Sequence, residues 1–235
     1  MKFAWATLSV AAVLAANVAQ ARDVGVVDAQ YAEPTTLYTH GILGDAIEHG
    51  ALQLTLSDGR TVSIRLPETH VFEDTEPRLV DVDLDGHAEV MVVETSMAQG
   101  ARLAIYNETG VVAAAPYIGR TNRWLAPIGA ADFDRDGQIE IGYIDRPHLA
   151  KTLRIWRFDD GALTLVDEIA GLTNHRIGEA DIGGGLRRCD GQVEMITASA
   201  DWSRVIATGF VDGRYRTRDM GPHRGRASLN AALAC

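Results

Sequence analysis

The chain is poor in cysteine: Cys189 and Cys235 are the only two in 235 residues. That excludes a disulfide-dense scaffold, and the absence of any CxxC pair excludes a zinc ribbon. Positive charge is also short, with 22 Lys and Arg against 32 Asp and Glu, a formal net charge of −10. Such a balance lacks the basic stripe that a phosphate backbone requires, so no nucleic-acid partner is expected. Catalytic signatures are missing as well: there is no GxSxG, no HExxH and no Gly-rich phosphate loop. His148, His175 and His223 have no diagnostic partners in the sequence and read as surface or structural residues. Downstream of the N-terminus no apolar run is long enough to cross a bilayer.

What is present begins with the N-terminus. Lys2, the apolar run Phe3 to Val18 and the small-x-small triplet Ala19-Gln20-Ala21 before Arg22 read as a secretory leader. Residues 1–21 are expected to be cleaved, leaving 22–235 in the periplasm or outside the cell. The hydrophobic fraction of 46% is enough to build one sizeable core. In an oxidising compartment the two cysteines have the opportunity to pair.

The chain repeats itself. Tight turns at Ser57-Asp58-Gly59, Glu108-Thr109-Gly110, Asp159-Asp160-Gly161 and Val211-Asp212-Gly213 recur at intervals of 51, 51 and 52 residues. Alternating segments such as Leu52-Gln53-Leu54-Thr55-Leu56 flank them. Period-two alternation around such a turn specifies a β-hairpin. In phase with the hairpins run Asp85-Gly86-His87-Ala88-Glu89, Asp136-Gly137-Gln138-Ile139-Glu140 and Asp190-Gly191-Gln192-Val193-Glu194, each leading into an apolar strand. About 50 residues per four-stranded unit is the period of a propeller blade.

The expected fold is therefore all-β, a propeller-like ring of about four four-stranded blades in one domain. The repeats lie near 35–75, 76–122, 124–172 and 174–222. A C-terminal strand over 227–234 is expected to complete the first blade. A sandwich of repeated hairpins is the competing architecture.

The segments Asp81–Glu89 and Asp132–Glu140 place carboxylates at positions 1, 3, 5 and 9, with Gly at position 6. Four carboxylates held this close repel one another unless a hard cation neutralises them. Oxygen-only ligands on a flexible loop suit Ca²⁺. An EF-hand is disfavoured because its twelfth-position Glu is replaced by Val92 and Tyr143. A solvated acidic turn without metal is the plain alternative.

Both loops resemble the D-x-D-x-D-G-x-x-[DE] core of FG-GAP/VCBS repeats, which occur in integrin α-subunit propellers and many bacterial exported proteins. The run Ile128 to Ile141 is especially similar. The resemblance implies a Ca²⁺-binding propeller with two metal sites. One is formed by Asp81, Asp83, Asp85, the main-chain oxygen of His87, and Glu89; the other by Asp132, Asp134, Asp136, the main-chain oxygen of Gln138, and Glu140. The third copy of the motif, in the fourth unit, departs from the pattern, with an insertion and two arginines across Asp181–Gly191, and no tight Ca²⁺ is expected there. Cys189 lies in that altered loop, and Cys235 at the start of the first unit's own loop. In a closed ring those blades are neighbours, so a Cys189–Cys235 disulfide is expected, with two unpaired thiols as the alternative.

The function expected is a non-catalytic binding or scaffold module for an unknown protein or glycan ligand. A lectin or hydrolase working from the loop face is the alternative, with Trp124, Trp156 and Trp202 as candidate sugar-stacking residues.

Overall fold

A computed structural model describes residues 24–235, so the leader expected over 1–21 lies outside the described residues. The fold is all-β with one short helix. The first eight strands are β1 (Val26–Thr35), β2 (Glu48–Leu56), β3 (Thr61–Arg65), β4 (His70–Phe72), β5 (Arg78–Val80), β6 (Glu89–Ser96), β7 (Gly100–Asn107) and β8 (Gly110–Ala114). They form a single sheet in the order β1-β2-β4-β6-β7-β8, with β3 also paired to β2 and β5 to β6. The next four are β9 (Leu125–Ala131), β10 (Glu140–Asp145), β11 (Thr152–Asp159) and β12 (Ala162–Ala170), an antiparallel meander. The last sheet contains β13 (Leu172–Thr173), β14 (Gly185–Cys189), β15 (Gln192–Ser199), β16 (Arg204–Val211) and β17 (Arg214–Pro222). Helix α1 (Arg226–Leu233) follows.

Burial grades from the inner to the outer strand of a unit. Every residue of β6 and β10 is buried, whereas β12 alternates between exposed and half-buried positions. Both faces of an inner strand are covered, which is why Val90 to Val93 and Ile141 to Ile144 read as continuous apolar runs. Met91, Val93, Leu103, Ile105, Ile141, Tyr143, Trp156 and Phe158 fill the layer between the second and third units. Val90, Val92, Ala104 and Tyr106 pack from the other face against Leu52, Leu54 and Phe72, inside the curl of the eight-stranded sheet. Ile144, Leu153, Ile155 and Met195 fill the third layer. Gly142 serves this stacking, since a Cβ there would lie 2.3 Å from the Met195 sulfur. Face-to-face packing of successive curled sheets is the propeller's mode of assembly, but the first two units share one continuous sheet and are not separate blades.

Three sequence expectations are corrected. The segment expected as a closing strand over 227–234 is helix α1. Ala and Leu are strong helix formers, and Leu229, Ala232 and Leu233 recur at helical spacing. They pack onto Ile196, Val205 and Ala207 and cover the free face of the last sheet. The first unit draws its extra strand from the N-terminal side: β1 pairs antiparallel with β2, as Ala29 opposite Leu54 and Tyr31 opposite Leu52. In the fourth unit Gly185–Cys189 is a strand, and Asp190-Gly191 is the tight turn of the β14–β15 hairpin.

Cys189 and Cys235 are joined by a disulfide across 46 residues, fastening the end of the tail to β14. Closing a loop of that length is worth about 4 kcal/mol in the chain-entropy account. The double variant Cys189→Ser/Cys235→Ser should therefore unfold at a markedly lower urea concentration. Wild-type protein should match it once reduced. Equal midpoints with and without reductant would contradict a structural role for the bond.

Candidate functional site

The two acidic loops occupy equivalent places. Asp81 to Ala88 joins β5 to β6, and Asp132 to Ile139 joins β9 to β10. Each must reverse the chain into a wholly buried strand within a few residues. Positive φ angles at Leu84 and Gly86, and at Arg135 and Gly137, accomplish this. Glycine takes such angles freely, while Leu84 and Arg135 do so at a cost of about 1–2 kcal/mol.

The aspartates are spent on the loop itself in the same way twice. The Asp85 amide donates to Asp81 Oδ1 at 3.1 Å and Asp83 Oδ1 at 3.2 Å, and the Gly86 amide donates to Asp81 Oδ2 at 3.0 Å. The Asp136 amide donates to Asp132 Oδ1 and Asp134 Oδ1 at the same two distances, and the Gly137 amide to Asp132 Oδ2 at 3.0 Å. The outcome in each loop is three carboxylate oxygens, from Asp81, Asp83 and Asp85 or from Asp132, Asp134 and Asp136, all within 4.8 Å of one another.

Glu89 and Glu140 play a different part from the aspartates. Each begins a buried strand, and each accepts the amide of the second loop residue on Oε2: Val82 at 3.1 Å and Phe133 at 3.1 Å. Neither belongs to the three-carboxylate clusters. Burial pushes the Glu140 carboxyl up from its ordinary value, opposed by the Phe133 amide and by Arg157. The His87 and Gln138 amides donate to Asp85 Oδ1 at 2.8 Å and Asp136 Oδ1 at 2.9 Å.

The second loop contains a cation of its own. Arg157 on β11 reaches Asp134 at 2.5 Å, Glu140 at 2.7 Å and Asp136 at 3.0 Å. No signal in the sequence marks it, because it stands in an outer strand among alternating residues.

Residues 81–143 match an FG-GAP-like repeat. The matched FG-GAP-like segment runs from the first aspartate of one loop, through the β6–β7–β8 hairpins, and past the end of the second loop. A repeat of this kind suggests a propeller-type binding or scaffold module. No curated protein matches the chain. No helix among the described residues is long and apolar enough to cross a membrane.

At the other ends of the strands lies a cluster that sequence reading missed. His40 Nδ1 is 2.5 Å from Glu73 Oε1, and the Thr95 hydroxyl donates to Glu73 Oε2 at 2.7 Å. His175 Nδ1 is 3.1 Å from His148 Nε2. Glu73 and His175 are wholly buried. Burial, and after it the neighbouring His175, brings His148 down to about 4. Glu48 is buried too; burial first, then the carboxylates of Glu73, Asp45 and Asp74, pushes it up to about 9. These partners lie 22 to 33 positions apart in sequence, so no local motif announces them.

A carboxyl whose folded value is raised keeps its proton longer in the folded chain than in the unfolded one. Stability from Glu48 is therefore complete near pH 4.5 and falls as pH climbs toward 9, by on the order of 3 kcal/mol at pH 7. Glu48→Gln mimics the protonated form. It should melt several degrees above wild type at pH 8 and equal it near pH 4.5. A constant difference at both pH values would show that Glu48 is not the titrating group.

Proposed function

We propose that the chain is an exported, non-catalytic repeat protein in which two Ca²⁺ ions stiffen the acidic loops of a binding or scaffold module. The observation that carries this reading is the duplicated cluster of three aspartate oxygens within 4.8 Å. Ca²⁺–oxygen distances are about 2.4 Å, so oxygens on opposite sides of one ion stand about 4.8 Å apart. Both clusters fit that requirement. The main-chain oxygens of His87 and Gln138 are the further donors the FG-GAP pattern assigns, with Glu89 and Glu140 bracing the loop from behind. Ca²⁺ would supply the neutralising charge that holds the three carboxylates together.

The lectin alternative is weakened by the tryptophans. Trp124 and Trp156 are buried, and Trp202 is covered by Arg176, whose guanidinium carbon sits 4.2 Å from the ring centroid. They do not make an exposed sugar-stacking surface. Export rests on the N-terminal leader alone, and the disulfide accords with an oxidising compartment.

Calorimetric titration of chelator-treated protein should give two bound Ca²⁺ per chain. EDTA should lower the melting temperature and Ca²⁺ restore it. Asp83→Asn should reduce the stoichiometry to one. In that background Arg157→Gln should strengthen the remaining site severalfold, because the guanidinium competes for Asp134 and Asp136. Melting unchanged by EDTA, together with no heat of binding, would overturn structural calcium.

A further inference from the structure

A cleft opens at the far end of the third unit from its acidic loop. Trp124 immediately precedes β9, and Arg146 and His148 follow β10, whereas residues 132–139 join the other ends of these two strands. Seven residues of extended strand separate the two features by roughly 20 Å. The β1–β2 connection contributes His40 and Ile42, and Ile177 closes the remaining side. The volume is about 280 Å³, near the small end of the range for small-molecule sites.

Three features of the lining define its chemistry. The first is an apolar body. Ile42 and Trp124 form buried floor, while Leu149 and Ile177 stand 62% and 70% exposed at the mouth. Large aliphatic side chains that exposed, gathered around one opening, mark a surface that something apolar covers.

The second feature is charge. Among the described residues no carboxylate lines the cleft, but two guanidiniums do. Arg146 is committed to Asp145 through two bonds of 2.9 and 2.8 Å. Arg123 donates only to the main-chain oxygen of Asn122, at 2.7 Å, and among the described residues has no carboxylate partner. One uncommitted guanidinium beside an apolar floor matches a single carboxylate, which its planar fork can hold through two bonds. A phosphate dianion would call for more cation than the cleft supplies.

The third feature is a rigid polar wall. His175 Nε2 is 2.8 Å from the main-chain oxygen of Glu179, which only accepts, so that nitrogen carries the proton. Its Nδ1 must then accept from His148 Nε2, leaving His148 Nδ1 as an acceptor. His40 is fixed in turn by the buried Glu73. Both imidazoles are held in place before any ligand arrives, which lowers the cost of ordering a site.

We propose that this cleft binds a small organic carboxylate with an apolar body, the acid on Arg123 and the body against Trp124, Ile42, Leu149 and Ile177. None of these residues belongs to the acidic loops, so the proposal stands or falls separately from calcium. Benzoate and its neutral isostere benzamide are suitable probes, followed through the indole N–H resonance of Trp124 in ¹⁵N-labelled full-length protein. Benzoate should shift that resonance saturably, with a dissociation constant of about 1 mM. Benzamide should bind about tenfold more weakly, the loss expected for removing one charged contact. Arg123→Gln should weaken benzoate to the same degree. Ile177→Glu, at an exposed position that leaves folding untouched, should also weaken benzoate by placing a like charge at the mouth. No saturable shift with benzoate, equal affinity for benzamide, or undiminished benzoate binding by Ile177→Glu would each overturn the proposal.

Discussion

Each acidic loop hangs from one hydrogen bond: the carboxylate that opens a wholly buried strand accepts the amide of the loop's second residue. Glu89 holds Val82 in this way, and Glu140 holds Phe133. Val82 and Phe133 are themselves buried core residues, so their amides have no access to water and would be costly if left unpaired. The bond therefore couples the start of the inner strand to the far side of the loop. With that span fixed, the three aspartates have one way to turn inward, and the amides of the fifth and sixth residues meet the first aspartate at matching distances in both loops. The ninth carboxylate is better understood as the brace of the site than as part of its inner cluster.

The same burial decides what a sequence reading can see. Hairpin turns are legible because Asp58-Gly59, Asp160-Gly161 and Asp212-Gly213 supply positive φ where two alternating strands meet. The acidic loops are legible because their spacing is local and occurs twice. The tail is not, because the repeat spacing places a strand there while Ala231 and Ala232 favour a helix, and propensity is only a weak guide. The decision is made by Leu229 and Leu233 finding the bare face of the last sheet. β14 is hidden for the opposite reason: glycines and arginines look like loop, yet residues 185–189 hydrogen-bond along β15 in full register. The histidine–glutamate cluster is illegible in a local motif, since the pairing of β2 with β4 brings His40 to Glu73 and the stacking of the third unit on the fourth brings His148 to His175.

Stacked sheets also divide the molecule's chemistry between their two ends. Inner strands buried on both faces admit few polar groups along their length, such as Glu94 of β6, which accepts from Arg102, Tyr106 and Tyr117, so most such groups collect where the strands begin and finish. One end gathers carboxylates in short loops. The other carries longer connections, including the segment between β1 and β2 that reaches across to residue 178 through the amide of Gly178 and the carbonyl of Ile42. Longer connections enclose space, and there the lining is aromatic, aliphatic and cationic. Among the described residues no carboxylate lines that cleft, although the chain's net charge is −10.

Arg157 shows how two loops of one backbone design come to differ. In the second loop a guanidinium from the third strand of the unit spans Asp134, Asp136 and Glu140. By register its counterpart in the first unit is Asn107, whose side-chain oxygen is turned to the amide of Thr109 in the adjoining hairpin. An arginine fixed by a strand supplies charge at one side of the cluster, whereas an ion supplies it at the centre. The arginine reduces the mutual repulsion of those carboxylates and so helps the second loop keep its shape. Each loop's cross-strand neighbour thus shapes its electrostatics as much as its aspartates do, and nine-residue motifs that read alike need not be alike in charge.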